Sequence, residues 1–77
     1  MNTSTYRQCT LHKGSSVLVN WIPSEFAVLS KSVRLKDDNG NWETGWTITK
    51  VGDVILSYEV VLSNSQDYKR TREASDI

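Results

Sequence analysis

Few residues in this chain are equipped for chemistry. The single cysteine, Cys9, and the single histidine, His12, stand in the C-x-x-H spacing of some metal sites. Zinc needs four convergent ligands in a structural site, or three and a water in a catalytic one, and no second Cys or His exists to supply them. On a strand, positions three apart face opposite ways, so the pair reads as a buried thiol and a surface imidazole. Asp37-Asp38-Asn39-Gly40-Asn41 has the acidity of a calcium loop. Its glycine is misplaced, however, and the closing acid position falls on Ile48, so a hairpin turn accounts for it better. One histidine has no evident nucleophile and orienting partner. Neither a glycine-rich phosphate loop nor a nucleophile elbow occurs, and nothing fixes a separation for any pair of the nine acids. The chain therefore reads as a non-enzyme with no cofactor, no metal and no small-molecule substrate.

Binding is the remaining chemistry. Three tryptophans in so short a chain suit base stacking or partner anchoring. A small β fold also needs bulky residues to fill it, and Trp21 and Trp46 are assigned mainly to core and rim packing. Trp42, beside a hairpin tip and opposite Asp37, is hard to bury and is the candidate anchor. Lys31, Arg34 and Lys36 form one basic stripe, and Lys69, Arg70 and Arg72 a second. Asp37, Asp38 and Glu43 flank the first, and Asp67, Glu73 and Asp76 the second, which favours a solvated charged face over a phosphate track. Ser75-Asp76-Ile77 has the shape of a C-terminal peptide ligand, a hydroxyl two before an aliphatic carboxylate.

The 77 residues allow a single domain. Nine Lys and Arg balance nine Asp and Glu, which removes the simplest argument for a nucleic-acid coating protein. One cysteine excludes an intramolecular disulfide. Met1 to Gln8 is polar where a signal peptide would be apolar, and the longest apolar run, Phe26 to Leu29, is four residues, far below a membrane span. The expected setting is the cytoplasm, or a particle assembled there, with no membrane partner.

Short runs of Val, Ile, Thr, Tyr and Trp broken by Gly, Asn, Asp and Ser predict strands. Five are expected: Tyr6 to His12, Val17 to Ile22, Ser32 to Asp37, Trp42 to Val51 and Val54 to Leu62. Pro23 ends the second, and Ser24 to Ala27 is expected to make one helical turn that presses Phe26 into the core. Asn39-Gly40 predicts a tight hairpin that sets Lys36 against Glu43, Leu35 against Thr44 and Val33 against Trp46. Gly45, inside a strand, marks a bend or bulge. A second hairpin is expected around Gly52-Asp53-Val54, pairing Ile48 with Tyr58 and Trp46 with Val60, because a one-residue slip would waste the buried face. Curling closes the core and protects the edges, so the expected fold is mainly β, a small five-stranded SH3-like (or OB-like) barrel over residues 1–62. Residues 63–77 read as a C-terminal short helix docked by Tyr68, or a flexible tail.

Trp21-Ile22-Pro23-x-x-Phe26-Ala27 with Lys31 and Val33-Arg34-Leu35-Lys36, together with Asp67-Tyr68-Lys69-Arg70-Thr71-Arg72 and Ala74-Ser75-Asp76-Ile77, resembles small uncharacterised proteins of tailed bacteriophages. That resemblance implies a phage origin and, for a short chain without catalytic residues, a binding role in the host cytoplasm or the virion. The expected function is a module that binds a host or phage protein through Trp42, Tyr68, Lys69, Arg70 and Arg72. The alternative is a nucleic-acid-binding barrel that uses Arg34, Lys36 and Trp42.

Overall fold

A computed structural model describes residues 5–57 and 72–76. The described chain is mainly β and builds one five-stranded antiparallel sheet: β1 (Thr5–Lys13), β2 (Ser16–Pro23), β3 (Ser32–Lys36), β4 (Trp42–Ser57) and β5 (Ala74–Asp76), in the order β2-β1-β4-β3-β5. No helix occurs among the described residues. Alternation puts Cys9, Leu11, Ile22, Val33, Leu35, Trp46 and Ile48 on one face, where they form the buried core. Val33, Leu35 and Ile48 thus take the interior places expected of them, while Tyr58, Val60 and Leu62 lie outside the described residues.

The second expected hairpin does not form. The chain runs through Gly52-Asp53 without reversing, and β4 is a single strand of 16 residues. Ile48 pairs with Leu11 of β1, and Val54 is exposed. Between Arg7↔Ile55 and Cys9↔Val51, β4 carries two residues more than β1, so Gly52 to Val54 bulge out of the ladder. Glycine is required there by close approach: a Cβ on Gly52 would stand 2.6 Å from the Gln8 carbonyl oxygen. β4 pairs with β3 through Trp42 to Thr47 and with β1 through Thr47 to Ser57.

The β3–β4 hairpin forms, with a local correction. The Asp37 N–H donates to the Asn41 carbonyl at 2.8 Å, and Asp37 Oδ1 accepts the N–H groups of Asn39 and Asn41, both at 2.9 Å. This leaves Asp38, Asn39 and Gly40 as a three-residue loop, with Gly40 at φ 83°. Val33 faces Trp46 as expected, but Leu35 faces Glu43 and Lys36 faces Trp42. The one-residue shift falls at Gly45, whose φ of 94° belongs to the bulge that the sequence marks there. Since one residue of slip exchanges faces, the bulge turns Glu43 toward the Leu35 side and Trp42 outward.

After β2 the chain makes turns closed by Phe26 N–H to the Pro23 carbonyl at 2.8 Å and Ala27 N–H to the Ser24 carbonyl at 3.2 Å. Phe26 is partly buried against the core. Ala74 to Asp76, expected within a helix or tail, instead form β5 on the free edge of β3, and Ala74 packs on the core. Three residues are too few for a periodic signal; an unpaired edge beside an apolar core selects the strand. The outer strands approach through a side chain: buried Asn20 of β2 donates Nδ2–H to the Arg72 carbonyl at 2.8 Å and accepts the Arg72 N–H at 2.9 Å on Oδ1. A carboxamide presents a donor and an acceptor much as a peptide unit does, so Asn20 stands in for ladder bonds between the two ends of the sheet.

Candidate interaction site

Outward-facing Arg34 and Lys36 of β3 flank Trp42 across the hairpin. The Arg34 guanidinium carbon lies 4.7 Å from the Trp42 ring centroid and Lys36 Nζ lies 5.4 Å from it. Both are within cation–π range, at roughly 0.5–1 kcal/mol each for exposed pairs. Trp42 remains 36% exposed. Arg34 Nη2 also reaches Ser75 Oγ at 3.5 Å, and Lys36 Nζ pairs with Glu73 Oε2 at 3.3 Å. Arg34 Nε is buried without a hydrogen-bond partner among the described residues, so stacking does much to hold the guanidinium. The result is an indole with two cations over its ring on an outer sheet face.

A second cluster lies on the inward side of the bulge. The Trp46 indole N–H donates to Glu43 Oε1 at 2.7 Å, and Arg72 Nη2 donates to the same oxygen at 3.2 Å. Lys13 Nζ stands 3.7 Å from Glu43 Oε2, and Arg72 Nε donates to the Lys36 carbonyl at 2.7 Å. Arg72 also lies 5.8 Å from the centroid of Trp46. Arg72, expected to bind a partner, is thus tied into contacts within the chain that anchor β5. Of the two expected residue sets, the structure brings together Arg34, Lys36 and Trp42; Tyr68, Lys69 and Arg70 lie outside the described residues.

The hydrogen bond from Trp46, followed by that from Arg72, holds the Glu43 carboxyl below its ordinary 4.5, with Lys13 adding attraction and partial desolvation opposing. A lowered folded value means that this contribution is whole above 4.5 and drains away as pH falls through the folded value. Glu43→Gln should therefore be less stable than the native chain at pH 7, and the two should converge toward pH 3. Urea midpoints measured across that range check this, and a constant gap between the curves would count against it.

Cys9 is buried on the core face and His12 is exposed on the other, so the C-x-x-H pair does not converge. Burial pushes the Cys9 thiol above its ordinary 9.0, partly offset by Arg7 and by the Gly52 backbone. Sequence reasoning passes over Asn20, and it reads Glu43 as the outer-face partner of Lys36 and Ser75 as part of a C-terminal peptide ligand, not as contacts of Trp46, Arg72 and Arg34. A lone Asn inside the apolar run Val17 to Ile22 is a signal for the first; the other two depend on the Gly45 bulge and on β5. Comparison of the chain with protein-family models, curated proteins and solved structures finds no match.

Proposed function

We propose that this chain is a non-enzymatic interaction module, of the kind found in tailed phages, which binds a host or virion protein through the outer face of the β3–β4 hairpin. The supporting observation is Trp42, exposed by more than a third and stacked beside Arg34 and Lys36. Trp and Arg dominate interface hot spots, and an aromatic already held in place loses little entropy on binding. The balanced formal charge fits a protein partner better than a polyanion. In the same reading, the sheet, open between β2 and β5, curls toward a small SH3-like barrel, drawn in where Asn20 of β2 meets Arg72 just ahead of β5.

Trp42→Ala should lower affinity for the partner at least about tenfold while changing stability by less than about 1 kcal/mol. Capture from bacterial host lysate on immobilised native chain, set beside Trp42→Ala and Arg34→Gln, tests this. A protein retained equally by all three would sink the assignment. A second reading, single-stranded nucleic acid, gains from the convergence of two cations and a stacking ring on one face. It requires oligonucleotide binding that weakens linearly with log salt, and no binding at low salt would remove it.

A further inference from the structure

The β2 edge of the sheet has a different character. Edge strands are ordinarily protected by charges, proline or bulges. Pro23 stands only at the last position of β2, Ser16 to Ile22 contains no Lys, Arg, Asp, Glu or Pro, and the eight pairs of β2 with β1 run in unbroken register. The bulges of this sheet lie instead in the interior strand β4. Val17 and Val19 stand 56% and 57% exposed on the outer face, and no strand lies beyond β2 among the described residues. Asn20 is engaged with Arg72, so the run of β2 that is centred on Leu18 and has no strand beside it among the described residues is Val17 to Val19.

We infer that β2 pairs antiparallel with β2 of a second copy, about a two-fold axis through Leu18. That axis sets Val17 opposite Val19 of the second copy and Val19 opposite its Val17, an isologous contact in which each exposed valine meets another. Even pairing sums keep inward positions beside inward ones, so the sheet continues across the axis without turning a polar face into the core. A second copy is favoured over a foreign strand on two grounds. It supplies both valines in register, and a chain with no net formal charge meets no long-range repulsion from itself. An edge this short buries far less than the roughly 1,200 Å² of a standard stable interface, so the pair forms reversibly at high protein concentration. The inference does not depend on the Trp42 face.

Sedimentation velocity of the full chain, from about 10 μM to about 1 mM, should show the mass rising from 8.7 kDa toward twice that value. Val19→Lys, at an exposed site, should weaken association at least about tenfold without altering the far-UV spectrum, since charge on an edge strand opposes pairing. Oxidation of Val17→Cys/Val19→Cys should give a covalent dimer, whereas Val17→Cys alone should not. A monomer at every concentration, undiminished association by Val19→Lys, or efficient cross-linking of the single variant would each overturn the proposal.

Discussion

Gly52→Ala is expected to remove about 2–3 kcal/mol of stability, at the upper end of the usual penalty for forcing atoms into a packed interior. The new methyl would meet the Gln8 carbonyl oxygen at 2.6 Å, and that atom belongs to the backbone of β1, which is paired on both sides. No side-chain rotation can relieve the clash; β1 and β4 must separate where they share the core. Single small domains have only a few kcal/mol in hand, so the variant should show a markedly lower urea midpoint and poorer soluble yield. Gly14→Asn is the control. Gly14 has a positive φ of 59°, a Cβ there would meet nothing within 4 Å, and Asn tolerates that conformation. It should stay within about 0.5 kcal/mol of the native chain. Equal midpoints for Gly52→Ala and the native chain would mean that the bulge relaxes freely.

Asn20→Ala carries the other large effect, about 2–4 kcal/mol, from lost hydrogen bonds combined with a cavity. Asn20 is 3% exposed. Besides its two bonds to Arg72, its Nδ2 donates to the Trp21 carbonyl at 3.2 Å. Truncation leaves the Arg72 N–H and carbonyl without these partners and takes one anchor from β5. Asn20→Asp keeps the acceptor but aims a carboxylate at the Arg72 carbonyl, so it should rescue little. Hydrogen exchange separates this local role from general damage. Protection should fall first at Ala74 to Asp76 while the β1–β4 amides stay slow. Uniform loss across the sheet, or none at β5, would show that Asn20 does not hold the two ends together.

Which parts are legible in the sequence follows from how local their causes are. The β3–β4 hairpin can be read because Asn39-Gly40 is a strong turn signal and Val33, Leu35, Trp46 and Ile48 share one phase. Its register is as expected at Val33↔Trp46 and slips beyond Gly45, because a glycine marks a bend without saying how many residues the bend adds to the pairing. Gly52-Asp53 fits a turn and a bulge equally well as a dipeptide. The deciding contact is a carbonyl on β1, remote in sequence. The Arg34–Lys36–Trp42 face is accessible because its three members belong to one hairpin. Arg72 looks like a free tail cation because its partners, Asn20, Lys36 and Glu43, come from three other strands.

The strand order also shapes how the chain reaches its native state. β1–β2 and β3–β4 are hairpins between sequence neighbours, and such units form within about 1–10 μs. They are joined by the seam between β1 and β4, which brings residues 5–12 against residues 47–57. Closing that long loop costs entropy before any contact repays it, which places the slow step at docking of the hairpins, in the millisecond-to-second range of non-local β topologies. During synthesis the first hairpin must therefore wait, its core face unpaired, until residue 57 has left the ribosome.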